Sequence, residues 1–172
     1  MKTIRNVAFG TLLLALAPLV AVAQTAAEDP AIQKAKEETA VVFDLGRVFG
    51  YLTTMEKEAP KLALSRDQLL KLVDVMTTIK ATKRFVPKEA EKLLVKIEDT
   101  ILTAAQLAYV DQLAIAAAAT RGTGTGANAG TGSGPLTTYI AGGDFNPMLD
   151  TTKTMGKDFA AFYDYAAKKV GK

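Results

Sequence analysis

Carboxylates are the side chains that could do chemistry in this chain, because it contains neither histidine nor cysteine. Histidine is the commonest general acid or base near neutral pH, and histidine and cysteine hold most zinc and copper ions. Their absence excludes thiol chemistry, most hydrolase triads and ordinary zinc or copper sites. The best acid–base pair, Asp44 with Arg47, has the i, i+3 spacing of an ordinary ion pair on a helix surface. We therefore expect no enzyme, no catalytic residue, no metal and no cofactor.

Three other patterns that could bind ligands have simpler explanations. The Gly/Thr-rich stretch 120–134 lacks the Gly-Lys-Ser/Thr ending of a phosphate-binding loop. The carboxylates lack the spacing of a calcium-binding EF-hand loop. Met55, Met76, Met148 and Met155 could form a soft-metal thioether set, but methionine at helical spacing usually fills gaps in a core. We expect packing at all four methionines.

Two groups of residues are candidates for binding a partner protein. The first is basic and lies around a predicted helix end, and the second is aromatic and lies on the last predicted helix. Each has a structural alternative, because cations stabilise the C-terminal end of a helix and rings at helical spacing pack in a core. The basic group is Lys80, Lys83, Arg84 and Lys88, and the aromatic group is Phe159, Phe162 and Tyr163.

Residues 1–23 have the pattern of a cleaved export signal. Lys2 and Arg5 form a positive start, an apolar run extends from Val7 to Val22, and Ala21-Val22-Ala23 fits the cleavage rule. The run is shorter than the roughly 20 residues that span a bilayer. We expect a mature chain of about 149 residues, periplasmic or extracellular, with no integral membrane span.

The charges of the mature chain are nearly balanced. Two of the 21 basic residues leave with the signal, so nineteen face 18 acidic residues. A nucleic-acid-binding domain usually carries a basic stripe, so we expect no nucleic-acid partner. Without cysteine the exported chain has no disulfide, and its fold must rest on core packing.

Apolar residues at three- and four-residue steps predict the helices that position these groups. Residues 135–141 are predicted to be extended or irregular. Gly46 and Gly50 predict a glycine-lined packing face or a slight bend in the first helix. Helices are predicted from Asp29-Pro30 to about Ala59, over about 66–82, from Val86-Pro87 to about Thr100, from Thr103 to before Arg121, and from Asn146-Pro147 onward.

Together these elements predict an all-α protein. Residues 24–119 form a small antiparallel bundle of about four helices, because the connections between them are short. Residues 120–134 form a flexible Gly/Thr-rich linker, since that composition cannot offset the entropy lost on ordering. Residues 135–172 form a C-terminal segment with a further helix.

Two short motifs begin two of the predicted helices. Leu64-Ser65-Arg66-Asp67-Gln68 and Leu102-Thr103-Ala104-Ala105-Gln106 each place a hydroxyl residue three positions before a glutamine. This is a capping box, in which the hydroxyl accepts from the N3 amide and the glutamine reaches back to the N-cap amide. We expect each motif to cap its own helix.

The paired motifs resemble the LTxxQ signatures of the Spy/CpxP-like periplasmic proteins, over about residues 40–115. The resemblance implies an all-helical envelope protein, and the family includes ATP-independent chaperones that form cradle-shaped dimers and proteins that sense envelope stress or metals. The chain departs from the family in its 38-residue motif spacing, which leaves room for two shorter helices, and in its lack of histidine, so metal sensing is not implied. The matching positions are Leu64, Ser65, Gln68, Leu102, Thr103 and Gln106.

We therefore expect an exported, non-enzymatic protein that binds other proteins, either as an ATP-independent chaperone or as an envelope-stress protein. Its expected partners are unfolded clients or envelope components, and a second copy of the chain in a homodimer. The lysines of residues 57–96 would supply the binding surface, unless they are the solvated backs of core helices. The alternative is a structural or assembly component of the cell envelope that acts through its helical module and a tethered C-terminal helix.

Overall fold

The computed structural model describes residues 29–122 and 133–171. The predicted export signal and the centre of the predicted linker, 123–132, lie outside these ranges. Within them the fold is all-α, as predicted, and contains six α-helices. They are α1 (Pro30–Glu58), α2 (Arg66–Ala81), α3 (Pro87–Val95), α4 (Ala104–Gly122), α5 (Ser133–Ile140) and α6 (Thr154–Val170). Short helical turns at Pro60–Leu62, Lys96–Ile101 and Pro147–Leu149 complete the secondary structure.

The first four helices begin where local signals predict, and α1 and α2 also end there. However, α3 ends at Val95, earlier than the predicted Thr100, and α4 extends to Gly122, past the predicted end before Arg121. At the start of α1 the Asp29 carboxylate accepts a hydrogen bond from the Ala31 amide at 2.8 Å, and Pro30 occupies the first helical position. The helix ends before Pro60, because proline cannot donate the next helical hydrogen bond. Like Pro30 in α1, Pro87 occupies the first position of its helix, α3. After Val95 the chain continues into a π-helical turn that ends just before the second motif.

The prediction of an irregular segment at 135–141 is wrong, because α5 spans Ser133–Ile140. Pro135 lies in the first turn of α5, where a missing amide hydrogen costs nothing. Leu136 is fully buried and anchors the helix in the core. Because α4 extends to Gly122 and α5 starts at Ser133, both flanks of the predicted linker are helical.

The last helix begins later than predicted. Pro147 opens only a short 3-10 turn, and α6 starts at Thr154. Between them the Asp150 carboxylate accepts from the Thr152 amide at 3.0 Å and forms a turn. This turn folds onto the first turn of α6, where a Cβ atom on Gly156 would overlap the Asp150 carbonyl. The prediction missed this loop, which is held by the bonds of Asp150 to Thr152 and by its close contact with Gly156.

Helix α6 lies between α1 and α2. Gly46, Gly50 and Glu56 of α1 face Met155, Asp158 and Tyr165 of α6 in that order, so these two helices run parallel. Arg66 at the start of α2 reaches Val170 at the end of α6, so α2 runs antiparallel to α6. The predicted glycine-lined face on α1 is confirmed, because side chains of α6 occupy the space beside both glycines.

One hydrophobic core joins these elements. Phe49 of α1 is fully buried, and its ring meets Phe159 edge-on with 5.1 Å between centroids and lies 6.0 Å from Phe162. Burying each such ring contributes about 1.5–3 kcal/mol. Helices α3, α4 and α5 also pack against α1, which is therefore the central helix. Across the described ranges, no helix combines the length and apolar character needed to cross a membrane.

Candidate functional site

The two motifs meet through the side-chain amides of their glutamines. Gln68 Nε2 donates to Gln106 Oε1 at 2.7 Å, and Gln106 Nε2 donates to Gln68 Oε1 at 3.3 Å. Gln106 is almost fully buried, with 4% of its surface exposed. We call this contact the glutamine junction.

Each glutamine also closes the capping box of its own helix, as predicted. The Ser65 amide donates to Gln68 Oε1 at 2.9 Å, and the Gln68 amide donates to Ser65 Oγ at 3.3 Å. The same two bonds join Thr103 and Gln106, also at 2.9 and 3.3 Å. The two boxes are therefore nearly identical in geometry.

Each glutamine donates its second amide hydrogen to a backbone carbonyl in the segment that precedes the other helix. Gln68 Nε2 donates to the Ile101 carbonyl at 2.7 Å, and Gln106 Nε2 donates to the Leu62 carbonyl at 3.0 Å. A glutamine amide has two donors and an oxygen that accepts two bonds. All of these are used in the junction, which leaves no group free to bind a ligand. The junction is a structural clamp between the two motifs.

A second set of bonds ties the first motif to α1 and α6. The Glu56 carboxylate accepts from the Leu64 amide and from the Tyr165 hydroxyl. Burial, and then the hydrogen bond and charge of Glu56, raise the pKa of Tyr165 to about 12. Arg66 donates to the Val170 carbonyl at 3.0 Å, which satisfies an acceptor at the end of α6. The region around the first motif thus joins α1, α2, α4 and α6.

The structure separates the four basic candidates into different roles. Lys83 and Lys88 are exposed and form no ion pair within the described part of the chain. Lys80 Nζ lies 3.9 Å from the centroid of the Tyr163 ring, a cation–π contact between α2 and α6. Arg84 donates to the Tyr139 carbonyl at 3.0 Å and to the Gly143 carbonyl, so it holds α5 and the turn after it.

The aromatic candidates are packed into the fold. Phe159 and Phe162 are 2% and 1% exposed, between α1 and α2. Tyr163 is half-buried beneath Lys80. The structure therefore places the two phenylalanine rings in the core, which was the alternative to a docking face, and a partner could reach them only by displacing α6.

Sequence reasoning missed the residues that hold the other end of α2. The Asn146 amide donates to the Ile79 carbonyl at 2.8 Å and to the Thr82 carbonyl at 2.7 Å. Beside it, the Phe85 amide donates to the Phe145 carbonyl at 2.6 Å. The only local signal was Asn146 before Pro147, and that pattern predicts an N-cap. It gives no sign of a partner 64 residues away.

Several of the described carboxylates bear on the question of a catalytic or metal site. Asp44 and Arg47 form the predicted surface ion pair. Burial, followed by the charges of Asp111, Asp99 and Asp44, raises the pKa of Glu98. Among the residues described, no group of three or more acidic side chains is arranged to hold a metal ion. The four methionines considered as a thioether set pack in or against the core, with Met55, Met76 and Met148 buried and Met155 partly buried.

Comparison with known proteins identifies no relative: no protein-family profile, curated protein or solved structure matches this chain. A functional proposal therefore depends on the resemblance in the motifs and on the surface geometry of the chain itself.

Proposed function

We propose that the chain is an exported, non-enzymatic envelope protein that binds exposed segments of other proteins without ATP, as the Spy/CpxP-like resemblance implies. The observation that carries this proposal is the glutamine junction. A capping box needs only residues of its own helix. Here, however, Gln68 and Gln106 bond to each other, and each also bonds to the backbone segments 62–65 and 101–103. The junction thus supports treating the two motifs as one unit, and the family likewise carries the motif twice.

The outer face of α3 offers a binding surface for client segments. Lys88, Lys92 and Val95 of α3, and Lys96 directly after it, are all exposed. They lie at i, i+4, i+7 and i+8, so they fall on one side of the helix and its extension. Val95 exposes 46% of its surface beside Lys92 and Lys96, and the exposed Glu91 lies one turn before it. Lysine stems add further apolar area while their ammonium groups stay in water. This combination suits unfolded segments that carry apolar and acidic residues. We call these four residues the α3 face.

Such a surface would act without a nucleotide cycle. The ammonium groups attract acidic clients and raise the rate of encounter. Contact with Val95 and the lysine stems then covers apolar client surface that would otherwise join a second client molecule. Because each contact is weak, the client can dissociate and refold. The proposal therefore predicts that activity falls as salt screens the lysines.

The test is the aggregation of an unfolding acidic client, measured by light scattering without ATP. The mature chain at several-fold molar excess is expected to suppress scattering. Neutralising the face with Lys88→Gln, Lys92→Gln and Lys96→Gln is expected to remove most of that effect. A control with Lys34→Gln, Lys157→Gln and Lys168→Gln loses the same charge elsewhere and should retain suppression. No suppression by the unaltered chain would refute the proposal.

A second candidate is a structural component of the envelope that assembles through its helical module. Ile115 on α4 favours it, because 70% of this side chain is exposed and an exposed isoleucine gains stability when a neighbour covers it. Assembly through the C-terminal helix has less support, because α6 packs between α1 and α2 of its own chain. If assembly occurs through α4, Ile115→Lys should lower the mass in solution, measured by light scattering with size-exclusion chromatography. An unchanged mass for this variant would remove the second candidate.

A further inference from the structure

A groove opens at the surface where α5, the turn after it and the start of α6 meet α1. Its volume is about 250 Å³. Its walls are mainly apolar and include the rings of Phe43 and Phe145 and the side chain of Met155. Pockets for drug-sized ligands have volumes of roughly 300–1,000 Å³. The groove is smaller, so it fits a single side chain.

The charges at the rim of the groove have an excess of carboxylate. Asp144, Asp150 and Lys153 all line it and are all exposed. Oδ1 of Asp150 accepts from the hydroxyl and the amide of Thr152. These bonds, and to a smaller extent the charge of Lys153, lower the pKa of Asp150, so it is ionised near neutral pH. In the described ranges, neither Oδ2 of Asp150 nor the Asp144 carboxylate has a hydrogen-bond partner. Three carboxylate oxygens, one on Asp150 and two on Asp144, therefore remain open above an apolar floor.

We propose that this groove binds a lysine side chain of a partner protein. The four-carbon stem of lysine would lie against Phe43, Phe145 and Met155, and its ammonium group would lie between the two carboxylates. A lysine ammonium group has three donors, so it could donate to Oδ2 of Asp150 and to the Asp144 carboxylate together. The inference rests on the proposed function, in that a protein is the partner, but it concerns a separate surface from the α3 face.

A titration with two matched probes tests the charge requirement. Nα-acetyl-lysine methylamide and Nα-acetyl-norleucine methylamide share the stem, but only the first carries an ammonium group. Binding to the mature chain is followed by NMR, at the Met155 methyl and the Phe145 amide. The lysine probe is expected to shift both signals and to bind at least about 10-fold more tightly than the norleucine probe. Equal binding of the two probes, or no shift at these two positions, would overturn the inference.

Charge-neutral variants of the rim test the location. The double variant Asp144→Asn, Asp150→Asn keeps an oxygen that can accept from Thr152, so the turn is expected to persist, and an unchanged spectrum elsewhere checks this. It should bind the lysine probe at least about 10-fold more weakly. The control Glu91→Gln, Asp164→Asn removes the same charge from exposed positions outside the groove lining and should bind normally. Retained binding in the double variant would overturn the proposed site.

The two proposals fail separately. If the chain binds the lysine probe through Asp144 and Asp150 but does not suppress aggregation, the chaperone proposal is refuted and the groove proposal stands. If the chain suppresses aggregation but does not bind the lysine probe, the chaperone proposal stands and the groove proposal is refuted.

Discussion

The side-chain amides of Gln68 and Gln106 hold each other, with 2.7 Å between Gln68 Nε2 and Gln106 Oε1. The two residues cap different helices and are 38 positions apart in the chain. Each amide also bonds the backbone of its own N-cap residue and the backbone that leads into the other helix. The two capping boxes therefore act as one unit, and the start of α2 cannot move without disturbing the start of α4.

Removing one glutamine should destabilise both helices. Gln106→Ala leaves the Leu62 carbonyl, the Thr103 amide and part of the Gln68 amide without partners. These groups are partly shielded from water, and each loses a hydrogen bond worth about 1 kcal/mol, so we expect the free energy of unfolding to fall by about 3 kcal/mol. Urea denaturation followed by circular dichroism measures this. The control Gln112→Ala, at an exposed position on α4, should change it by less than about 0.5 kcal/mol.

The coupling between the two glutamines can be measured directly. In a double-mutant cycle with Gln68→Ala, the combined loss should be smaller than the sum of the single losses by about 1 kcal/mol or more, because the first substitution already breaks the shared bonds. Additive losses would show that the two boxes are independent.

Gly156 should not tolerate a side chain, although it lies inside a helix. A Cβ atom there would overlap the carbonyl group of Asp150, which is backbone and cannot turn aside. We expect Gly156→Ala to cost at least about 2 kcal/mol, the scale of overpacking a tight contact. Gly134→Ala is the matched control, because nothing lies within 4 Å of its added Cβ, and it should be neutral or slightly stabilising. Thermal melts of both variants test this, and equal melting temperatures would contradict it.

Neighbouring basic residues should differ sharply in their effect on stability. Arg84→Ala leaves the Gly143 carbonyl unpaired and removes one of two hydrogen bonds to the Tyr139 carbonyl, which keeps its bond from the Gly142 amide. It also removes the guanidinium from the Tyr139 ring, 4.9 Å from its centroid. The expected loss is about 2–3 kcal/mol. Lys83→Ala should change the free energy of unfolding by less than about 0.5 kcal/mol, because Lys83 is exposed. Similar losses for the two variants would show that Arg84 is not a structural residue.

The stability of the protein should fall at high pH through Tyr165. Folding raises the pKa of this hydroxyl from 10.0 to about 12. Below pH 10 the hydroxyl is protonated in both states, and its stabilising contribution is complete. As the pH rises from about 10 to 12, the unfolded chain loses this proton more readily than the folded chain, so the contribution is lost. Denaturation midpoints across this range should fall more steeply for the unaltered protein than for Tyr165→Phe.

A second variant identifies the cause of the Tyr165 shift. Burial is the largest cause, and the Glu56 carboxylate adds to it through a hydrogen bond and its charge. Glu56→Gln should therefore lower the pKa of Tyr165 only partly toward 10. Ultraviolet absorbance of tyrosinate measures this, and a pKa unaffected by the substitution would exclude a role for Glu56.

Local signals in the sequence determined most helix boundaries. Asp29 before Pro30 and the two capping boxes each act within a few residues, so the pattern alone predicts the structure that forms. The same reasoning failed at α5 and at the start of α6. At both places the backbone conformation depends on distant packing, such as Leu136 in the core and Asn146 on the carbonyls at the end of α2.

The sequence by itself thus determined that this protein is helical, where its first helices start, and that its two motifs cap them. Only the tertiary structure decided that the motifs join, that α6 lies between α1 and α2, that Arg84 is structural, and that Phe159 and Phe162 are buried. The physical reason is the distance along the chain between the residues that interact. A helix cap is satisfied by atoms three residues away, whereas the Gln68–Gln106 and Glu56–Tyr165 bonds join residues 38 and 109 positions apart and exist only after the helices have packed.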